Sequence, residues 1–163
     1  MIEMSIEGIR VSLMNYQRVV ILKEKEADRY LPIWIGPAEA EAITVRLQGV
    51  AVARPLTHDL LQDVMEKLGA QIVCVVVNDL ADDTFFARIM VSVNGEQLEI
   101  DSRPSDAIAL AIRVDAPIFV RAAVFEAANE DNAVFEPKRS VAWPAPAPAR
   151  PVGNTSATPR LSL

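Results

Sequence analysis

Apolar and polar positions alternate from the start of the chain. Ile2, Met4 and Ile6 alternate with Glu3, Ser5 and Glu7; the parity then flips after Gly8, so that Ile9, Val11 and Leu13 carry the apolar positions. A period of two predicts a strand, and the change of parity predicts a bulge at the glycine. Val19 to Lys23 and Tyr30 to Ile35 predict two further strands joined by the charged loop Glu24 to Arg29. Pro37 is suited to the first turn of a helix that runs to Gln48, with Gly49 closing it in a left-handed cap. A second helix, His58 to Leu68, is predicted with Thr57 as its N-cap. Its Leu60, Leu61, Val64, Met65 and Leu68 fall in one arc and should pack on a core.

The run Ile72 to Val77 is apolar on both faces and β-branched, which predicts a central strand in which Cys74 is filling. Phe85, Ala87, Ile89, Val91 and Val93 alternate toward Asn94-Gly95, and Leu98 and Ile100 resume the pattern, as in a tight hairpin. A third helix spans Pro104 to Val114, followed by a short strand at Ile118 to Val120 and a helical turn at Val124 to Ala128. Asp79, Asp82 and Asp83 read as turn residues. The element order predicts an α+β fold of mainly antiparallel sheets with three main helices.

A segment repeats at an offset of 67 residues: Pro37 to Leu47 and Pro104 to Val114 share Pro-x-acid-Ala-x-Ala-aliphatic-x-aliphatic-Arg-aliphatic, eight matches in eleven positions. This predicts two repeated β-rich half-units. Asp106 and Arg113 are the only charges of the third helix and lie about 20° apart around its axis, so this stripe needs a partner in an otherwise apolar helix. Cross-pairing between half-units, Glu39 with Arg113 and Asp106 with Arg46, is the expected solution.

Composition bounds the rest. The 163 residues are 51% hydrophobic and 23% charged, the values of a single globular domain. Six of the eleven prolines fall at or after Pro137, so residues 1–128 are expected to form the domain and 129–163 a disordered Pro/Ala-rich tail. Residues 1–126 carry net charge −7 of the chain's −6, which excludes passive adhesion to nucleic acid or an anionic membrane; a polyanion needs a local site. A single cysteine, no signal-peptide pattern and no membrane-length apolar run lead to the expectation of a cytoplasmic protein.

No phosphate loop, zinc-protease motif, nucleophile elbow or calcium loop occurs. His58, at the first turn of the second helix beside Gln62, is either a proton acceptor or a polar residue at a helix start. Asp101-Ser102-Arg103-Pro104-Ser105-Asp106 gathers two hydroxyls, a guanidinium and two carboxylates at a helix start, a workable anion site. With Glu39, Asp101 and Asp106 could hold Mg²⁺ or Mn²⁺; the alternative is helix capping by Ser102 or Ser105 plus a structural salt bridge.

Three stretches carry a resemblance: Leu31 to Gly36 with Glu39-Ala40, Arg54 to Leu61, and Ser102 to Ala111. Through them, residues 1–126 resemble the bifunctional nuclease family. The resemblance implies an α+β fold and hydrolysis of phosphodiester bonds in RNA and DNA. Read as a nuclease, the candidate roles are His58, Asp59 and Asp106 in catalysis, Arg54, Arg103, Ser102 and Ser105 on phosphate, and Glu39, Asp101 and Asp106 on the metal, with a structural role the alternative for Glu39 and Asp106. The competing expectation is a non-catalytic homo-oligomeric module that binds a small anion or nucleotide. Acidic charge, with no basic stripe or exposed aromatic platform, favours it. Either way a homo-oligomer is expected, since a small sheet has limited means of covering its edges.

Overall fold

The computed structural model describes residues 1–12, 16–131 and 141–142. Its strands are β1 (Ile2–Val11), β2 (Arg18–Glu24), β3 (Tyr30–Ile35), β4 (Ala70–Ala81), β5 (Thr84–Val93), β6 (Glu96–Ser102), β7 (Ile118–Val120) and β8 (Val141–Ala142). The helices are α1 (Pro37–Leu47), α2 (Thr57–Lys67), α3 (Pro104–Val114) and α4 (Ala122–Asp131). Leu13 and most of the expected tail, 129–163, lie outside the described residues.

All strands join one curled sheet in the order β3-β2-β1-β7-β4-β5-β6, with β8 pairing β1. The sheet is mixed: β7 runs parallel to β4 and antiparallel to β1, so a parallel seam lies at its centre. The two antiparallel meanders, β1–β3 followed by α1 and β4–β6 followed by α3, are joined through β7, so the sheet is mixed and not purely antiparallel. Among the described residues there are four helices where three main ones were expected, the helical turn after β7 extending to Asp131.

Local chemistry explains the elements. The β1 register shifts between Ile6 and Gly8 as the parity change requires, with Gly8 at φ +156°. Asp82 and Asp83 both take positive φ, as do Asn94 and Gly95; these are the tight turns closing β4–β5 and β5–β6. The first turn carries β4 well beyond the apolar run Ile72 to Val77. α1 ends in a Schellman motif, with Gly49 at φ +62°, its N–H donating to Arg46 O and the Val50 N–H to Val45 O.

The core lies on the helix-bearing face of the sheet. Leu22, Leu31, Ile33, Val75, Val77, Ile89 and Val120 meet the alanine- and isoleucine-rich faces of α1 and α3, and Phe125 of α4 joins them. Small residues let α1 and α3 lie close together, and eight of the eleven α3 residues are buried.

α2 departs from expectation. None of its residues is buried; only Met65 packs against the core, while Leu60, Leu61, Val64 and the following Leu68 are exposed. The apolar arc exists, but α1 and α3 supply the core packing on the sheet and leave most of the arc outside. Thr57 is not the cap either. Leu56 holds the N-cap position, and Asp59 Oδ2 accepts from its N–H at 2.8 Å.

Candidate functional site

Three chain segments meet where β3 hands over to α1, where α2 begins and where β6 hands over to α3. Pro37 and Pro104 open their helices after extended residues, Gly36 and Arg103. Each helix carries its acid at the third position, Glu39 and Asp106, and packing of α1 against α3 brings these first turns together.

Arg103 links them. Its Nε donates to Asp106 Oδ2 at 2.7 Å and its Nη2 to Asp106 Oδ1 at 3.2 Å and Glu39 Oε1 at 2.8 Å. Nη1 takes no part in these bonds, and the side chain is 67% exposed. His58 completes the group from α2: its Nε2 lies 2.9 Å from Asp106 Oδ1. The Asp106 carboxyl is held below the usual carboxylate range; burial opposes this, but the bonds from Arg103 and His58 outweigh it. An ionised Asp106 only accepts, so Nε2 carries the proton in that bond and Nδ1 is the ring nitrogen left to exchange a proton. The imidazole is nearly buried and fixed in orientation. His58, Asp106, Arg103 and Glu39 line one open cavity of about 330 Å³, with Leu56 and Thr57 on its wall.

Gly36 makes room for this. A Cβ there would collide with the Glu39 carboxylate, which folds back over the start of α1. The Gly36 backbone, at φ −70° and ψ 161°, is ordinary, so space and not conformation makes glycine fitting here.

The expected cross-pairs do not form. Glu39 and Asp106 both pair with Arg103, whereas Arg113 Nε donates to Asp59 Oδ1 at 2.6 Å and Arg46 Nη2 caps the Arg113 carbonyl at 3.1 Å. The reason is reach: each arginine sits two helical turns from the acid of its own motif, where it serves a helix C-terminus or the start of α2. Asp59 therefore faces away from His58 and into the protein. Its carboxyl is also held below the usual range; burial opposes, and the Leu56 N–H and Arg113 prevail.

The other residues singled out from sequence scatter. Arg54 is exposed in the loop before α2 and does not line the cavity. Ser102 Oγ donates to the Arg103 carbonyl at 2.9 Å. Asp101 lies on exposed β6 opposite Arg88, on the sheet face away from the core, since its neighbour Ile100 pairs with inward-facing Ile89. Ser105 is buried against a second cavity of about 390 Å³, which Arg103 also lines together with Trp34 and Phe85. Trp34 is 48% exposed, so an exposed aromatic lies beside the site after all. Its place at the end of β3, one residue before Ile35-Gly36, was the available signal.

Among the described residues no group of three or more His, Cys, Asp or Glu side chains could hold a metal ion. Glu39 and Asp106 face the same cavity, but Arg103 occupies the position between them, so these residues as arranged do not fit Mg²⁺ or Mn²⁺. A larger depression of about 710 Å³ lies along β1 and the end of α3. Its charged lining residues are Glu3 and Lys25, which pair with each other, Arg46, which donates to the Arg113 carbonyl, and Asp115; the histidine lies in the smaller cavity.

Residues 20–133 match the family model for the bifunctional nuclease domain. The chain is 44% identical over 127 residues to an uncharacterized protein of Mycobacterium tuberculosis strain H37Rv, a match covering 78% of this chain and 76% of that one. It is 24% identical over 131 residues to Bifunctional nuclease 1 of Oryza sativa subsp. japonica, covering 78% of this chain and 39% of the relative. It is 29% identical over 115 residues to Bifunctional nuclease 2 of Arabidopsis thaliana, covering 67% and 35%. The match thus spans well under half the length of these plant relatives.

Proposed function

Because this chain belongs to the bifunctional nuclease domain family, we propose that it hydrolyses phosphodiester bonds of RNA or DNA at the His58–Asp106–Arg103–Glu39 cavity. The observation that carries this reading is the bonded chain itself: an imidazole held by an ionised carboxylate, which is in turn pinned by a guanidinium with a donor to spare. His58 Nδ1 takes the proton of a water as its oxygen bonds to phosphorus, the P–O bond to the leaving nucleoside oxygen breaks and that oxygen takes a proton from solvent, while Asp106 fixes the tautomer and stabilises the imidazolium that results. Arg103 Nη1 receives a phosphate oxygen and offsets the charge that develops on it. Glu39 holds the guanidinium in place. No step passes through a metal, since the residues do not present a formed site; Mg²⁺, Mn²⁺ and a chelator are arms of the assay.

The test is cleavage of labelled single-stranded and duplex RNA and DNA by the full chain and by His58→Ala, Asp106→Asn and Arg103→Ala, each checked for cooperative melting. His58→Ala is expected to lower the rate by about 10²- to 10⁴-fold. Cleavage that persists in the double variant of His58 and Asp106 belongs to a contaminant and removes the reading. A second reading, a non-catalytic homo-oligomer that binds a small anion or nucleotide, is favoured by one observation, the exposed apolar face of α2. It predicts binding without turnover. Self-association through that face is part of both readings, with a second copy covering Leu60, Leu61, Val64 and Leu68.

No helix among the described residues is long and apolar enough to cross a membrane.

A further inference from the structure

The second cavity shares Arg103 with the first and has a different character. It is bounded by the end of β3, the β4–β5 turn and the start of α3. Its apolar side is aromatic: Trp34, half exposed, and Phe85. Its polar side is Ser105, which is only 6% exposed and whose hydroxyl has no hydrogen-bond partner among the described residues. The hydroxyl oxygen is not sealed but opens onto the cavity, where it can donate to or accept from a ligand. Of the remaining polar groups, Gln17 lines the wall, the Thr84 hydroxyl is committed to the Asp82 carbonyl at 3.3 Å, and Asp83 places a carboxylate on the turn side.

We propose that this cavity is a subsite for one unpaired nucleotide next to the cleavage site, with its base against Trp34 and its phosphate at Arg103 and Ser105. The inference rests on the nuclease reading and adds the substrate class: a single strand, or a strand locally unpaired. Charge sets the direction. A phosphate is repelled by Asp83 and attracted by Arg103, whereas a base tolerates the carboxylate and gains from an aromatic face. A base inside a duplex is stacked on both sides and cannot reach Trp34 without leaving its helix. The chain's net charge of −6 is compatible with this mode, because stacking supplies affinity that a basic stripe would otherwise supply.

Trp34 and Trp143 are the two tryptophans, so Trp143→Phe in the full chain leaves Trp34 as the single reporter. The probes are a phosphorothioate single strand, an abasic strand of equal length and a duplex, with binding followed by anisotropy of an end label and by Trp34 emission. The single strand is expected to quench Trp34, and the abasic strand and duplex are not. Trp34→Ala is expected to lower the affinity ratio of base-bearing to abasic strand by about 5- to 150-fold, with Trp34→Phe recovering most of it. Ser105→Ala lowers affinity for both strands alike. A single strand that binds while leaving Trp34 emission and the Trp34→Ala ratio unchanged overturns the subsite and leaves the nuclease reading standing. Absence of both binding and cleavage overturns the nuclease reading and the subsite with it.

Discussion

The Arg113–Asp59 pair is asymmetric, and the asymmetry predicts which half matters more to stability. The Arg113 side chain is 2% exposed and that of Asp59 is 29% exposed. Besides Asp59, Arg113 donates to the Ala109 carbonyl at 2.6 Å and, at the longer distance of 3.4 Å, to that of Ala42. Asp59→Asn keeps the shape but leaves a guanidinium sealed in the protein with only carbonyl dipoles around it, which costs about 3–5 kcal/mol. Arg113→Met removes the buried charge and fills most of the same volume. The Asp59 carboxylate that remains reaches water and still accepts from the Leu56 N–H, so this change costs no more than about 2 kcal/mol. Urea unfolding followed by circular dichroism at neutral pH reads both. With a slope of about 1–3 kcal/mol per molar urea, Asp59→Asn should lower the midpoint by roughly 1–5 M and Arg113→Met by clearly less. The double variant should resemble Arg113→Met, because the uncompensated charge is gone. Equal losses from the two single variants, or an additive double variant, would refute the argument.

Other outcomes follow from the same geometry. Gly36→Ala has a compatible backbone but displaces the Glu39 carboxylate from Arg103; it should cost under about 1 kcal/mol while changing nuclease rate, and a rate equal to that of the parent would mean Glu39 does not hold Arg103 in the working site. Leu60→Glu with Val64→Glu should convert an associated species to one of 17.8 kDa in light scattering; parent chain already at that mass would exclude the α2 contact. Asp59 and Asp106 both have folded-state pKa values depressed below 3.8, so each contributes stability that is present above that pH and lost as the pH falls through the lower folded value. Acid unfolding should therefore steepen below about pH 4, and Asp106→Asn should flatten its share of the slope. A slope unaltered by that change would mean that the Asp106 bonds do not survive in solution.

Local patterning was legible in the chain because it depends on neighbours. The parity change at Gly8, the turn at Asn94-Gly95 and the Gly49 cap each follow from backbone preferences of a few residues. What depends on distant partners was not. The parallel β4–β7 seam carries no local mark, since Ile118 to Val120 reads the same beside any strand. The repeat singled out Glu39 and Asp106, but motif symmetry suggested Arg46 and Arg113 as partners, whereas the arginine preceding Pro104 bonds both acids. His58 was legible as a residue and not as half of a pair with Asp106, because 48 residues separate them. Asp59 looked like chemistry from its place beside His58, and its side chain turns inward.

α2 is where site and assembly meet. Its first turn is fixed by polar bonds to α3, through His58 to Asp106 and Asp59 to Arg113, while its apolar arc stays outside the core. A helix of 11 residues held mainly at one end is marginal by itself, since isolated helices of that length gain little from their own hydrogen bonds. Covering Leu60, Leu61, Val64 and Leu68 with a second copy would steady the far end and, through the rigid helix, the position of the imidazole at the near end. Association and catalysis are then not independent properties. The element that supplies the candidate base leaves its apolar arc uncovered, so a surface that covered the arc would add to the ion pairs that already anchor α2 and hold His58.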